Sequence, residues 1–484
     1  MVDAGQGFVA EQVAKLGSVV GLALEPVDVQ APGLVLPGPF RVDVAAAAVV
    51  GAATSAIGAV CYERTGHYPK VLIDSRAAQV AFRSERYLRR DGRSVGELWA
   101  PLSGDYRCVD GWLKVHANFA HHGDAAAVAL GVPAQREAIA ARLSTLPALT
   151  AEEAVIEAGG VAAALRHAAS WRAHAQGRIE AATAPVRLRR LGERGLRRAS
   201  PRPWPDASLD PLAPGGARRP LAGLRVLELA RVLAGPVCGR VLAAHGADVL
   251  TIAAGHLPQI EPLMLDTGFG KRSALLDLRV ASDRAAFEEL LTEADVLVQS
   301  YRPGALGKLG YDTAALAAHS PGLVVLDVQA YSSGGPWSAR RGFDSLVQMV
   351  SGLAAEAGGE AGMAEPVPLR CQALDHGSGW LAALAAVAGI IRQRQEGGCW
   401  HAEISLAATA CWLDGLGRLE GPGLTDPGLA EVAPFLVDTI GFGPNGTEVA
   451  LRHVAMPGTL DGATVRWDSP PPRLGSSPPS WRRG

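Results

Sequence analysis

The sequence predicts an α/β protein with a Rossmann-like, doubly wound parallel sheet in its C-terminal half and a smaller α+β domain in its N-terminal half. From residue 221 onward, short apolar runs alternate with amphipathic helical segments. This pattern is typical of parallel strands covered by helices on both faces. The chain has 484 residues, of which 48% are hydrophobic. Because single cores seldom exceed about 250–300 residues, we expect at least two domains.

The elements of the C-terminal half follow one another without long interruptions. Its predicted strands are 224–229, 247–252, 273–278, 295–299 and 322–328, and its predicted helices are 236–246, 282–294 and 312–320. The N-terminal half lacks this strict alternation. It predicts an Ala-rich buried helix over 42–61, a strand over 71–75, a helix over 76–89, a strand over 110–119 and further helices within 134–146 and 151–175.

Composition also divides the chain. We expect an N-terminal unit at 1–186 (with a smaller region at about 105–185), a linker at 187–220, a main domain at 221–468 and a tail at 469–484. The linker is rich in Arg, Pro and Gly, which indicates an exposed connection or wrapping arm. Its basic cluster is interpreted as a solvated charge run rather than a phosphate site. The tail is rich in Pro and Ser and is predicted to be extended.

Several classes of protein are disfavoured by composition. The formal net charge of −2 argues against a general nucleic-acid binder. The six cysteines show no CxxC or CxxxC spacing, which disfavours a zinc site or a disulfide framework. The N-terminus does not resemble a signal peptide, and the longest apolar run, Leu381–Ile391, is too short to span a bilayer. We expect a cytoplasmic protein that binds no metal, nucleic acid or membrane.

A weak internal repeat links the two halves. Asp375 precedes an Ala-rich helix that leads into the segment 401–413, and Asp43 likewise precedes an Ala-rich helix that leads into 71–82. In both copies, a strand carrying an acidic residue and then a serine opens the next helix. The repeat predicts a fusion of two shortened copies of one unit.

A tight turn follows the first strand of the main domain, at Ala234-Gly235-Pro236. Gly235 has no Cβ and would let the backbone approach a ligand, while Pro236 suits the first position of a helix. The start of that helix would offer free N–H groups to an anion. Open α/β sheets bind ligands at the C-terminal ends of their strands. The turn predicts a phosphate or pyrophosphate site, and the alternative is a turn without a ligand.

Four stretches of the main domain, taken in order, resemble the family III CoA-transferases of the CaiB/BaiF type. They are the opening PLAGLRVLELARVLAGPVCGRVLAAHGADVLTI, then GFGKRSALLDL, ADVLVQSYRPGALGKLGYD and GLVVLDVQAYSSGGPWSARRGFDSLVQMVSGL. The N-terminal stretches DGWLKVHANFAHHGDAAAVALG and EEAVIEAGGVAAALR resemble the smaller domain of that family, which normally follows the catalytic portion. The order here is reversed, as though two truncated copies were joined.

The resemblance implies the family III fold and a reaction. CoA would move from an acyl-CoA donor to a carboxylic acid acceptor through an aspartyl-CoA thioester. Coenzyme A and acyl-CoA would be substrates, with no tightly bound cofactor. Because family members form interlaced dimers, a fused chain is expected to form an internal pseudo-dimer or a homodimer, with one functional site.

Asp375 matches the family's nucleophilic aspartate, which opens a long helix. A nucleophilic carboxylate must be ionised yet partly desolvated, and a helix N-terminus favours the charged form. The alternative is that Asp375 is a simple N-cap of this helix. Asp43, its counterpart in the repeat, is interpreted as structural because no Rossmann-like segment precedes it.

The resemblance also implies residues that bind CoA. They are Arg231, Val232, Leu233 and Ala234 at the turn, Tyr301, and Lys308 and Arg341 as phosphate partners. The alternative for each cation is a solvated surface charge. Two positions depart from the family: many members have Glu-Arg or Glu-Pro directly after the second strand, where this chain has Ala253-Ala254. The departure predicts that a basic contact to the adenosine side of CoA is missing.

Other functions remain as alternatives. A catalytically degenerate acyl-CoA-binding protein would keep the fold but not the reaction. An acyl-CoA racemase would carry a histidine between Gly342 and Asp344, where this chain has Phe343, which cannot transfer protons. The histidines 116, 121 and 122 lack accompanying acidic or Cys ligands for a metal. A serine hydrolase is disfavoured because the chain has no GxSxG elbow.

Overall fold

A computed structural model describes residues 2–31, 33–191, 200, 202–205, 219–357, 365–419, 425–443, 445–461, 463 and 465–482. The helices are α1 (Val2–Val19), α2 (Val42–Thr65), α3 (Ser75–Ala81), α4 (Ser84–Tyr87), α5 (Ala120–Leu130), α6 (Arg136–Leu143), α7 (Ala148–Glu157), α8 (Ala168–Ala173), α9 (Ala175–Ala182), α10 (Ala234–Ala244), α11 (Glu261–Thr267), α12 (Ala281–Glu293), α13 (Thr313–His319), α14 (Asp344–Ser351), α15 (Leu353–Ala357), α16 (Ala373–Glu396), α17 (Leu406–Gly415) and α18 (Leu429–Val432).

The strands form four sheets. They are β1 (Val27–Gln30), β2 (Val71–Asp74), β3 (Arg89–Arg90), β4 (Arg93–Ser94), β5 (Gly104–Arg107), β6 (Trp112–Val115), β7 (Ala162–Ala164), β8 (Val186–Arg190), β9 (Arg225–Leu229), β10 (Asp248–Ala253), β11 (Arg272–Leu275), β12 (Val296–Gln299), β13 (Val324–Gln329), β14 (Trp400–Ser405), β15 (Leu436–Phe442), β16 (Glu448–Val454) and β17 (Gly458–Leu460).

The largest sheet confirms the predicted Rossmann-like class. Its seven strands lie in the order β11-β10-β9-β12-β13-β14-β8, and all except β8 run parallel. The chain moves outward from β9 to β10 and β11 and then returns to the other side of β9 as β12. This reversal creates a switch point between β9 and β12, where open α/β sheets form a ligand crevice.

The start of the predicted linker differs from the expectation. Strand β8 pairs antiparallel with β14 and closes one edge of the sheet. The reason is that apolar and basic residues alternate at the start of this run. Val186 is buried and Leu188 packs on the core, whereas Arg187 between them forms an ion pair with Glu403 of β14. Residues 192–199, 201 and 206–218 of the predicted linker lie outside the described residues.

The C-terminal tail, which was predicted to be extended, contains turns at 473–476 and 478–480 and lies along the opposite edge of the sheet. The backbone N–H of Ser477 donates to the carbonyl of Ser273 in β11. Trp481 is buried, and its ring N–H donates to the carbonyl of Leu290 in α12. The tail therefore covers an edge that would otherwise expose unpaired backbone groups.

Two Ala-rich helices, α2 and α16, pack against each other in the centre of the molecule, and α10 packs on α16. By length and composition alone, both α2 and α16 could cross a membrane. In the structure, 89% and 100% of their most apolar windows are buried inside the protein. Their apolar surfaces are thus covered by the protein itself, which is how core helices behave.

The two halves of the chain share two of the three smaller sheets among the described residues. Strand β17, from the C-terminal half, pairs with β2, and β16 pairs with β3. A buried cluster also links the halves: Arg240 donates to Asp266 at 2.9 Å and to Ser84 of the N-terminal half at 3.1 Å. The N-terminal unit is therefore packed into the main domain rather than separate from it.

A buried ion pair fixes the start of α10 on the sheet. The Lys271 ammonium lies 2.7 Å from a carboxylate oxygen of Glu228 in β9 and donates to the carbonyl of Pro236 in α10 at 2.7 Å. Thr251 of β10 donates to the second oxygen of Glu228. Lys271 belongs to the second stretch that resembles the family, and its contacts give that stretch a structural role.

The packing of α16 on α10 depends on Gly379. A Cβ at this position would lie 2.7 Å from the carbonyl oxygen of Ala234 and 2.6 Å from Cβ of Val237. Gly379→Ala is therefore expected to lower the free energy of unfolding by about 1–3 kcal/mol through overpacking, despite the higher helix propensity of alanine. Urea denaturation measures this change.

The matched control is Gly415→Ala at the end of α17, where a Cβ would meet no atom within 4 Å. That substitution should leave the unfolding midpoint unchanged or raise it slightly. Equal stability of the two variants would show that α10 and α16 are not in close contact in solution.

Candidate active site

One cavity of about 590 Å³ opens at the switch point of the main sheet. All of the residues that the sequence predicted for catalysis or CoA binding line it, namely Arg231, Val232, Leu233, Ala234, Tyr301, Lys308, Arg341 and Asp375. The structure therefore brings together positions that lie up to 144 residues apart between 231 and 375. Their roles remain predictions, but their common location does not depend on the resemblance.

The turn between β9 and α10 has an unusual backbone. Val232 has φ of +73°, a conformation that is rare for a β-branched residue and is often found at functional sites. The next residue, Leu233, is the N-cap of α10, and no side chain caps this helix end. The first N–H groups of α10 therefore have no partner within the helix and can serve a ligand.

One detail of the predicted turn is wrong. Pro236 is the third residue of α10 and not the first, since the helix begins at Ala234. A Cβ on Gly235 would lie 2.5 Å from Cβ of Ala230 and 3.3 Å from the Ser300 hydroxyl. Gly235 is therefore needed for close packing within the protein itself, and its predicted role in the approach of a ligand stays a prediction.

Asp375 is the third residue of α16 and does not cap it. Gln372 is the N-cap, and the Asp344 carboxylate accepts the backbone N–H groups of Leu374 at 2.7 Å and Asp375 at 3.0 Å. The N-cap interpretation of Asp375 is therefore wrong. Its own carboxylate accepts no hydrogen bond from the part of the chain that the structure describes, although the residue is only 7% exposed.

The electrostatic surroundings of Asp375 disfavour its charged form. Burial, followed by the negative charges of Asp344 and Glu85, raises the pKa of Asp375 well above its ordinary value. Burial also raises the pKa of Asp344 to about 6. Burial opposes ionisation of Glu85 as well, but the hydrogen bond from His376 at 3.0 Å and its charge bring the pKa of Glu85 below its ordinary value.

The counterpart of Asp375 in the repeat has a different environment. Asp43 is the second residue of α2, and both its carboxylate oxygens lie 3.1 Å from the Arg41 guanidinium. A carboxylate held by a bidentate arginine is neutralised and is a poor nucleophile. This contact agrees with the structural interpretation of Asp43.

The N-terminal half supplies one wall of the cavity. Phe119, His121 and His122 line it, and the Arg231 guanidinium lies 5.0 Å from the centre of the Phe119 ring. Arg341 donates to the carbonyl of Gly159 at 2.6 Å. Sequence reasoning missed these contributions, because aromatic and histidine side chains after a strand carry no specific motif.

The predicted Lys308 is joined at the cavity by further cations that sequence reasoning missed, Arg302 and Arg279. Arg302 and Lys308 are exposed at its rim, and among the described residues neither side chain has an acidic partner. Arg279 and Ala254 both line the cavity, and the Arg279 guanidinium forms an ion pair with Asp277. Arg302 could have been predicted, because it lies on the same segment after β12 as the predicted residues Tyr301 and Lys308.

No group of three or more His, Cys, Asp or Glu side chains lies close enough to hold a metal ion within the described ranges. His116 lies just beyond β6, and His121 and His122 lie in the first turn of α5. Rings stack there instead: the His116 and Phe343 rings are parallel within 5°, with centroids 3.7 Å apart. The site is thus organised by aromatic packing and charge.

Comparison with known proteins gives this geometry a context. Residues 221–416 match the model of CoA-transferase family III. The chain is 33% identical over 214 residues to an acetyl-coenzyme A transferase of Hypoxylon pulicicidum, which covers 43% of this chain and 36% of that protein. It is 30% identical over 205 residues to a succinate–glutarate CoA-transferase of Agrobacterium fabrum, which covers 39% of this chain and 51% of that protein.

Among solved structures, a CaiB/BaiF family protein from Brucella suis is 28% identical, with a TM-score of 0.36, and the match covers 40% of this chain and 55% of that one. The chain thus spans only about a third to a half of the curated relatives it matches. The matched segment contains β9 to β14, α16 and Asp375. Residues 221–416 are therefore similar to CoA-transferase family III.

Proposed function

We propose that this protein is a CoA-transferase that moves CoA from an acyl-CoA donor to a carboxylic acid through an aspartyl-CoA thioester on Asp375. One observation carries the proposal. The Asp375 carboxylate is buried and has no hydrogen-bond donor among the described residues, and it lines a cavity at the switch point of the sheet together with several cations. A structural aspartate would be paired, whereas a nucleophile needs a free lone pair.

The reaction balances without any further reactant. The Asp375 carboxylate attacks the thioester carbon of the donor, which expels CoA thiolate and leaves a mixed anhydride. The thiolate then attacks the aspartyl carbonyl and releases the donor acid, so that CoA is joined to Asp375 as a thioester. An acceptor carboxylate reverses these two steps, which gives the new acyl-CoA and regenerates the Asp375 carboxylate. No net proton is consumed.

Residues of the chain have separate tasks in this scheme. The free N–H groups at the start of α10 would stabilise the oxyanion or the pyrophosphate. Arg302 and Lys308 at the rim would bind phosphate, and Arg231 and Tyr301 would line the path between the rim and Asp375. Ionised Asp375 is disfavoured by its carboxylate neighbours, so conversion into a neutral anhydride or thioester relieves repulsion at the site.

One observation favours a second candidate, a non-catalytic acyl-CoA-binding protein. The raised pKa of Asp375 reduces the fraction of carboxylate available for attack near neutral pH. A racemase has less support, because the ring of Phe343 stands where that branch carries its histidine. The tests below separate the first two candidates by looking for the covalent intermediate itself.

We also propose that the protein acts in the cytoplasm as an internal pseudo-dimer, or as a homodimer of such chains. The packing of α2 against α16, and the sheets shared by the two halves, support an origin from two joined copies. The wall formed by the N-terminal half would then take the place of a second subunit.

Incubation with a panel of acyl-CoAs is expected to attach CoA covalently to the protein. Intact-mass spectrometry should show an adduct of one CoA less water, and hydroxylamine should remove it. Asp375→Ala should form none. The matched control is Asp43→Ala, which removes the equivalent aspartate of the other repeat and should form the adduct as the wild type does.

Binding of CoA without an adduct across the panel would support the non-catalytic candidate. An adduct that persists in Asp375→Ala would place the nucleophile elsewhere and contradict the proposal. The spectra of the denatured protein report only the covalent adduct, because non-covalently bound CoA is lost on denaturation, and calorimetry measures the binding itself.

The raised pKa of Asp375 predicts a pH-dependent cost in stability. Between the ordinary carboxyl pKa near 4 and the higher folded value, the native state retains a proton that the unfolded state has lost. Stability contributed by protonated Asp375 is therefore lost as the pH rises through this window. Asp375→Asn should match the wild type near pH 4 and be more stable by about 1–3 kcal/mol near pH 8.

Urea denaturation at several pH values measures this difference, and the rate of adduct formation by the wild type should rise over the same range. Asp43→Asn is the control, because it breaks a pair with Arg41 and should gain no stability with rising pH. A constant difference between Asp375→Asn and the wild type at all pH values would contradict the electrostatic argument.

The exposed cations at the rim predict how CoA is held. Arg302→Ala and Lys308→Ala should each weaken CoA binding by roughly tenfold, since each would lose a charge-assisted contact to phosphate. Calorimetry with CoA and with 3′-dephospho-CoA would identify which phosphate each residue contacts. Arg284→Ala, an exposed arginine on α12 outside the cavity, is the control and should bind CoA normally.

A further inference from the structure

A second, smaller cavity of about 40 Å³ adjoins Asp375 on the side facing the N-terminal half. Residues of both halves line it, including Trp99 and His116 from the first half and Val232 and Phe343 from the second. Asp375 lines both the large cavity and this small one. The Asp375 carboxylate therefore lies between the large cavity, which could hold a long polar ligand, and the small cavity, which could hold a small group.

The volume of the small cavity limits what can enter. One water needs roughly 10–15 Å³ of this kind of space, so the cavity has room for only about three or four water-sized groups. With CoA in the large cavity, an acyl group that extends past Asp375 enters this one. Acyl chains of about two to four carbons satisfy this limit, whereas longer chains would clash with Trp99 and Phe343.

His116 is a buried polar group of this cavity without a partner. The residue is 4% exposed, and the centroid of its ring lies 3.7 Å from that of Phe343 and 5.7 Å from that of Trp99, which it meets edge-on. Its Nδ1 has no hydrogen-bond partner within the described chain. The amide of Asn118, by contrast, is engaged by the backbone of Ala100 and Leu98. A buried unpaired ring nitrogen is unusual unless a ligand completes it.

The charges around the cavity restrict the ligand further. Burial lowers the pKa of His116 to about 3, so the ring is neutral and offers a hydrogen bond rather than a charge. Glu85 and Asp344 also line the wall and would repel a second carboxylate. Arg86 lies on the same wall, but its Nε is 3.9 Å from the Glu85 carboxylate, which offsets its charge.

We infer that the small cavity is an acyl subsite for monocarboxylic acids of about two to four carbons that carry a hydroxyl or oxo group, which hydrogen-bonds to His116. The inference rests on the proposed function and narrows its substrate class. His116 determines specificity and takes no part in bond making. It comes from the N-terminal half, so that half would select the acid while the C-terminal half carries the nucleophile.

Calorimetry in an Asp375→Asn background tests the subsite without turnover. Lactoyl-CoA should bind at least about tenfold more tightly than propanoyl-CoA, because the two differ only by the hydroxyl that His116 would bind. Hexanoyl-CoA should bind at least about tenfold more weakly than propanoyl-CoA. Adding His116→Phe preserves the stacking on Phe343 and should abolish the preference for lactoyl-CoA, while His116→Gln should retain part of it.

A preference for lactoyl-CoA that survives His116→Phe would overturn the role of His116. Hexanoyl-CoA binding as tightly as propanoyl-CoA would overturn the size limit, and this arm needs no variant at His116. These outcomes are independent of the covalent adduct on wild-type protein. Loss of the adduct with the acyl preferences intact would refute the transferase and keep the subsite, whereas the reverse result would do the opposite.

Discussion

The site depends on which of two aspartates, Asp344 or Asp375, accepts the backbone N–H groups at the start of α16. Asp344, at the start of α14, accepts the N–H groups that open α16, and this leaves the carboxylate of Asp375 free of the capping duty that its position suggests. Had Asp375 capped its own helix, the cap would have held its lone pairs and lowered its reactivity. Asp344 of the Gly-Phe-Asp motif therefore sets the environment of the proposed nucleophile, which lies 31 residues later in the chain.

The N-terminal half gives this arrangement its surroundings. Glu85, on α4, is buried beside α16 and is held by His376, so its charge faces Asp375 instead of water. The same half provides Phe119 beside the turn after β9 and His116 beside Phe343. The α10–α16 contact at Gly379 then sets the separation between the turn and Asp375. An isolated main domain would lack the cavity wall at Phe119, the charge of Glu85 and the proposed acyl subsite at His116.

Features of the fold and the site that local periodicity and motifs encode could be predicted from the sequence. The strands β9 to β13 and the positions that line the large cavity could be predicted, because parallel strands and strand-end turns have strong local patterns. Strand β8 could not, because its short alternation lies in a basic run and is decided by pairing with β14. The hairpin of β15 and β16 was also missed, although Asn445-Gly446 between them is a turn signal. The pairing of His116 with Phe343 joins segments more than 200 residues apart, and no local pattern encodes it.

The burial that raises the pKa of Asp375 also suits this residue to the proposed reaction. In water, a carboxylate is a weak nucleophile, and an anhydride formed from it would be hydrolysed. At a buried position, the carboxylate that does form is poorly solvated and strongly basic. In the proposed reaction, the first step would convert this charged group into a neutral anhydride, while the charge passes to the CoA thiolate and then to the released acid. The second step would leave Asp375 as a neutral thioester, so its repulsion by Asp344 and Glu85 would be absent until the carboxylate is regenerated. The folded protein thus carries an electrostatic cost at rest, which acylation of Asp375 would release.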